Sequence, residues 1–187
     1  MSIEHFINEI MPVPKDLFDE IKTNFEKIEL KKGEKLVEQG RICKYLYFIE
    51  KGMGRSHFYN EKGKDITAWF FAENDVMTVV ESFFQQKPGR YEIELLEDTV
   101  LYRISYNELQ KLFDRYPLVE RFGRLLSIKL LMDVADKLNA IQFHTAKERY
   151  EFLIKKYPNI AYRAPLGHIA SYLGITQETL SRIRAQK

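Results

Sequence analysis

The chain has 187 residues, 45% hydrophobic and 30% charged, with a formal net charge of +2. That balance excludes a disordered chain, and no apolar run reaches the roughly 18 residues of a membrane helix. The small net charge hides an asymmetry: residues 1–120 carry 17 Lys and Arg against 22 Asp and Glu, a net of −5, while residues 121–187 carry 12 against 5, a net of +7. The C-terminal third is therefore the part expected to meet a polyanion.

In chain order, residues 3–10 and 15–27 read as short helices split by the breaker Met11-Pro12-Val13-Pro14. From Ile28 to Ile104 the texture is β. Runs rich in β-branched and aromatic residues fall at 35–39, 45–50, 55–59, 65–71, 91–95 and 99–104, punctuated by Gly33, Gly40, Gly52, Gly54, Gly63 and Pro88-Gly89. Strands so evenly spaced predict an antiparallel roll rather than a parallel sheet. Asn60-Glu61-Lys62-Gly63 reads as a hairpin turn.

Helix returns at Ser105. Ser105 with Glu108, and Thr145 with Glu148, have capping-box spacing and each predicts a helix start. Pro117 opens a long helix expected to reach about Gln142. Its apolar residues cover more than one face. Leu118, Leu125 and Met132, seven apart, predict contact with the same helix of a second copy, that is, a homodimer. Another helix is predicted over 145–157, ending before Pro158.

The last stretch, Pro165 to Lys187, carries the chemistry. Leu166, Ile169, Ala170 and Leu173 form one buried helix face. Gly174 can end that helix, and Thr176 is a good N-cap for a second one starting at Gln177. Leu180 and Ile183 point back at the first helix, leaving Gln177, Glu178, Ser181 and Arg182 outward. Two short helices, a tight glycine turn and a polar outward face make a helix-turn-helix, whose second helix enters a major groove. Gln177, Glu178 and Arg182 suit base edges, and Thr176, Thr179 and Ser181 suit phosphates. Further phosphate contacts are expected from Lys155, Lys156, Arg163 or Arg184, since little chain follows that helix.

KKGEKLVEQG (31–40), YLYFIEKGMGR (45–55), EKGKDITAWF (61–70), TAKERYEFLIKKYP before the last two helices, and LGHIASYLGITQETLSRI (166–183) together resemble the Crp/Fnr family of bacterial transcription regulators. The resemblance implies an α+β fold: an antiparallel β-roll of double-stranded β-helix or jelly-roll type, a long dimerisation helix, and a helical C-terminal helix-turn-helix domain. The corresponding segments are 1–116, 117–142 and 143–187. It implies double-stranded DNA, a second copy and RNA polymerase as partners in the cytoplasm, with no membrane. It also puts Gln177, Glu178 and Arg182 at the family's base-reading positions, Gln177 replacing a frequent arginine.

The effector cassette departs from the family pattern. Thr78 and Val79 stand where cyclic-nucleotide binders have Gly-Glu, and Arg90 is followed by Tyr91 rather than Ser or Thr. Glu81 is a displaced substitute, and the purine-contacting positions become Val134 and Ala135. Thr78, Val79, Glu81, Arg90 and Tyr91 are thus the candidate effector residues. Cyclic AMP is expected to bind with a Kd on the order of 0.1 mM or weaker. No cofactor is fixed by the sequence. A cyclic nucleotide, another small effector, or nothing in the roll are the open readings.

An enzyme is not expected. Of His5, His57, His144 and His168 only His57 lies in the roll, no metal spacing or Ser/His/Asp set is present, and a haem sensor has equally thin support. The lone Cys43 excludes an internal disulfide and a four-thiolate cluster within one chain, and fits a reducing compartment. The alternative is a cyclic-nucleotide or other small-ligand sensing module acting on protein partners.

Overall fold

Two amphipathic helices lead the chain in the computed structural model, which describes residues 3–185. The helix expected to reach Lys187 is followed to Ala185; Met1, Ser2, Gln186 and Lys187 lie outside the described residues. The first helix, α1 (Ile3–Ile10), buries Ile3, Phe6 and Ile7, and α2 (Lys15–Lys22) buries Phe18 and Ile21. The second stops short of residue 27. Instead β1 (Glu26–Leu30) pairs antiparallel with β8 (Thr99–Ser105), from Glu26 opposite Arg103 to Leu30 opposite Thr99. The β texture expected from Ile28 thus begins two residues earlier, at Glu26 and Lys27, where no period separates strand from helix tail. The cross-strand ion pair of Glu26 with Arg103, at 2.7 Å, is visible only once the strands meet.

The remaining strands are β2 (Lys35–Val37), β3 (Tyr45–Lys51), β4 (Gly54–Tyr59), β5 (Asp65–Phe71), β6 (Val76–Met77) and β7 (Glu92–Leu95). They form two four-stranded antiparallel sheets, ordered β1-β8-β3-β6 and β2-β7-β4-β5. This is the expected roll. The hairpin turn between β4 and β5 is held by Asn60, whose Oδ1 accepts from the backbone N–H groups of Lys62 and Lys64 at 3.0 Å each. Strand β6 and the short helix α3 (Val80–Gln85) are additions, too brief to leave a period in the sequence. Ile49, Met77, Phe83, Ile93, Leu95 and Leu101 fill the space between the sheets.

Both expected capping boxes are present. Ser105 Oγ accepts from Glu108 N–H at the start of α4 (Tyr106–Arg115), and Thr145 Oγ1 from Glu148 N–H at the start of α6 (Ala146–Lys156), each at 3.3 Å. Between them α5 (Pro117–Phe143) runs 27 residues, roughly 40 Å at 1.5 Å per residue. No helix among the described residues is long and apolar enough to cross a membrane.

The last three helices, α7 (Ile160–Arg163), α8 (Leu166–Leu173) and α9 (Gln177–Ala185), do not stand apart from the roll. Phe70 of β5, with Met53 just before β4 and Leu96 just after β7, shares one core with Tyr150, Leu153, Tyr157, Ile169 and Leu173. Tyr157 Oη donates to the Phe70 carbonyl at 2.8 Å and reaches the Asp75 carboxylate at 3.2 Å. Arg163 forks onto Glu73 at 2.8 Å and also pairs with Glu97 at 2.5 Å. Ser171 Oγ accepts from Thr67 N–H at 3.0 Å and donates to the Asp65 carbonyl at 3.2 Å, so α8 closes the free edge of β5.

A shared core predicts one cooperative unfolding transition for roll and C-terminal helices together. Leu153→Ala, at a fully buried position, should lower stability by about 2–5 kcal/mol without splitting that transition. Denaturant unfolding followed by Trp69 fluorescence and by circular dichroism checks both points; two separated transitions in the unmutated chain would contradict the shared core.

Candidate nucleic-acid interface and effector cavity

The turn between α8 and α9 is built as the sequence requires. Gly174 has φ +68°, a left-handed conformation that costs a residue with a Cβ and costs glycine nothing sterically. Ala170 and Leu173 of α8 are buried with Leu180 of α9, and Ile183 packs against them. Thr176 Oγ1 accepts from Thr179 N–H at 3.2 Å and caps α9.

That packing leaves Gln177, Glu178, Ser181 and Arg182 exposed along one side of α9. Thr179 is half-buried, with its hydroxyl 3.2 Å from that of Thr176 and 3.4 Å from Arg182 Nη2. The Gln177 amide lies against α8, where a Cβ added at Gly167 would come 2.9 Å from its Nε2. Glu178 is held below the usual carboxylate range by the backbone N–H at the helix start and by Thr176. The side thus offers a guanidinium donor, a carboxylate acceptor and an amide with both, on a helix whose N-terminus favours anions.

The four candidate phosphate cations separate into two groups. Lys155 and Arg184 are exposed. Lys156 pairs with Asp133 of α5 at 2.9 Å, and Arg163 is committed to Glu73 and Glu97. Both of these hold the C-terminal helices in place rather than facing outward. Sequence spacing shows which residues are basic but not which acids lie opposite.

Beneath α8 is a charged layer that the sequence reading did not anticipate. Arg55 of β4, only 2% exposed, reaches Asp65 at 2.6 and 2.8 Å, Glu94 at 2.7 Å and Thr67 at 2.9 Å. His57 lies 3.2 Å from Asp65. Burial, with Arg55 adding to it, holds His57 and His168 of α8 below the ordinary histidine range, so both favour the neutral form. Helix α8, packed on that strand face, is what buries Arg55 and His57.

A cavity of about 960 Å³ lies between the roll and α5. Four of the five candidate effector residues, Thr78, Val79, Glu81 and Tyr91, line it, together with Trp69, Phe71, Phe84 and, from α5, Leu130, Val134 and Lys137. The Thr78 hydroxyl is already used: it donates to the Tyr45 carbonyl at 3.2 Å and sits 3.3 Å from Cys43 Sγ. Arg90 is not in the lining. Its exposed guanidinium stacks on Phe58 and Tyr91 at 5.3 and 5.2 Å from the ring centroids, and its Nη2 donates to Tyr91 Oη at 3.3 Å.

On the outside of α5 the heptad residues differ. Leu118 packs in a small groove with Ile7, Val13 and Leu17, Leu125 is half-buried, and Met132 is 63% exposed. The broadest uncovered stripe is Leu131, Val134, Leu138 and Ile141, with Leu131 68% and Leu138 53% exposed. A straight helix turns 3.6 residues at a time, so strict seven-residue spacing drifts off one line.

Residues 27–116 match the family model of the cyclic nucleotide-binding domain. The electron transport regulator A of Shewanella oneidensis and the fumarate and nitrate reduction regulatory protein of Yersinia pestis are each 26% identical over 166 residues, 82% of this chain. The chain spans 65% of the length of each, less than two thirds. In fold it is similar to FixK2 from Bradyrhizobium japonicum, with a TM-score of 0.73, 22% identity, and 87% and 83% of the two chains covered. It is also similar to a crp/fnr-family regulator structure from Eubacterium rectale, with a TM-score of 0.70, 18% identity, and 94% and 85% covered.

Lys137 carries no sequence signature, yet it joins the cavity to the C-terminal helices. Its Nζ donates to the Ala68 carbonyl of β5 and lies over the rings of Trp69 at 4.8 Å and of Tyr172 in α8 at 4.1 Å. It pairs with no carboxylate among the described residues. Burial, and then the charge of Lys156, push its pKa down to about 8. The unfolded chain therefore binds more protons between that value and the ordinary lysine value of about 10.5, and stability should rise with pH across that window. From pH 8 to pH 10 the gain should be about 2 kcal/mol, and Lys137→Met should flatten the curve. Denaturant unfolding at closely spaced pH values tests this; equal slopes for the two proteins would show that the ammonium is not desolvated.

Proposed function

We propose that the chain, whose fold is similar to those of FixK2 and the crp/fnr-family regulator and whose residues 27–116 match the cyclic nucleotide-binding domain, belongs to the Crp/Fnr family and is a homodimeric DNA-binding transcription regulator of the cytoplasm. In this reading the roll is the effector-sensing domain, α5 pairs with its symmetry mate, and α9 reads a palindromic site while RNA polymerase is the downstream partner. The observation that carries it is the exposed Gln177, Glu178 and Arg182 on a capped second helix of a helix-turn-helix, within a segment of net charge +7. Both relatives matched by sequence are named as regulators.

Arg182 would bond guanine O6 and N7, Glu178 cytosine N4, and Gln177 adenine N6 and N7. Thr176, Thr179 and Ser181 would meet phosphates. Two-fold symmetry then demands half-sites one helical turn apart, roughly 10–11 bp centre to centre. Selection of bound duplex from a random pool should return such a palindrome. Arg182→Ala should cost about 1–3 kcal/mol on it and relax its G·C preference. Lys155→Ala should weaken all sequences alike and flatten the salt dependence. Equal loss on every sequence for Arg182→Ala would make that residue a phosphate contact. Failure to retain any duplex would favour a sensing module that acts on protein partners.

The dimer reading rests on the uncovered stripe Leu131, Val134, Leu138 and Ile141, with Leu118, Leu125 and Met132 on the neighbouring side of α5. Leu138→Glu changes a side chain that is already more than half exposed in the single chain. It should yield a folded monomer with weakened binding to the palindrome. Sedimentation at tens of micromolar decides: a monomeric unmutated chain removes the dimer.

A further inference from the structure

We propose that the roll cavity takes an elongated apolar molecule bearing a single anionic group, its body among Val79, Trp69, Phe84 and Val134 and its anion on Lys137. The assignment rests on reading the roll as an effector domain and goes beyond it by naming the class of effector. A cyclic nucleotide would bring a phosphate, a ribose hydroxyl and a purine edge into the cavity, and each needs a hydrogen-bond partner there. The cassette supplies few. Arg90 stays outside on Phe58 and Tyr91, the Thr78 hydroxyl is held by Tyr45, and the wall of α5 offers Val134.

The cavity volume of about 960 Å³ suits a lipid- or drug-sized molecule, and aromatic and aliphatic side chains dominate its wall. Lys137 is the one lining cation that is removed from water without a carboxylate partner among the described residues. Arg124, also in the lining, is exposed and keeps its hydration. A desolvated ammonium between two rings and a backbone carbonyl lacks only a negative charge, and a carboxylate or similar head supplies it. Because the same ammonium lies over Tyr172 of α8, the occupant would touch the helix pair that presents Arg182.

The test titrates the full chain by calorimetry with dodecanoate, dodecanol and cyclic AMP. Dodecanoate should bind once per chain, at least tenfold more tightly than dodecanol and than cyclic AMP. Lys137→Met should erase the difference between acid and alcohol by weakening the acid alone. Val80→Trp, which fills the cavity from an exposed position on α3, should abolish binding of both while the protein melts as before. Equal affinity for acid and alcohol in the unmutated chain overturns the assignment of the anion to Lys137. Tighter binding of cyclic AMP, or no binding of either chain molecule, overturns the ligand class. Retention of the selected palindrome is measured on the same preparation. Loss of DNA binding with dodecanoate binding intact would end the regulator reading and leave the cavity assignment supported.

Discussion

The outer face of the β2-β7-β4-β5 sheet cannot be left in water, and much of the remaining architecture follows from how it is covered. It presents Phe70, with Met53 and Leu96 at the ends of its strands, beside the buried Arg55 and His57 and the half-buried Asp65. The apolar members need a partner surface, and the charged members need every hydrogen bond satisfied once that partner excludes water. Helices α6, α7 and α8 supply the apolar cover, while Arg55 finds its partners within the sheet, in Asp65, Glu94 and Thr67. Tyr157 brings an apolar ring with a hydroxyl that satisfies the Phe70 carbonyl, and Ser171 completes the edge of β5 with a donor and an acceptor. The helix-turn-helix is therefore seated on the roll, and α9 is oriented by a sheet far from it in sequence.

That seating also decides how the basic residues are used. The C-terminal third carries the positive charge, but part of it is consumed internally: Arg163 against Glu73 and Glu97, Lys156 against Asp133. Among the described residues after α5, the basic side chains that stay exposed are Lys147, Lys155, Arg182 and Arg184. Net charge over a segment is a poor guide to the field it shows a partner, because a paired cation contributes little at a distance. Lys137 is a third kind, a cation that the fold desolvates without a carboxylate partner among the described residues, between the roll cavity and Tyr172.

Much of the fold was legible because it rests on local signals. The two capping boxes, Pro117 at the start of the long helix, the Asn60–Gly63 turn and Gly174 between the last helices each impose a backbone geometry through residues a few positions apart. Period-two runs gave most strands, and the outward set on α9 followed from the buried set. Short elements such as β6 and α3 leave no period to find, and the helix expected over 15–27 overlaps β1 by Glu26 and Lys27, two residues that no period assigns.

By itself, then, the sequence determined the roll, the long helix, the helix-turn-helix and the exposure of Gln177, Glu178 and Arg182, since periodicity and capping act within a few residues. Only the tertiary structure decided that Arg90 turns away from the cavity, that Lys156 and Arg163 are spent on acids, and that Lys137 faces two rings instead of a carboxylate. Those outcomes depend on which distant residue arrives opposite each charge. Glu73 and Arg163 are 90 positions apart, as are no two residues of a local motif, and nothing in either neighbourhood specifies the other.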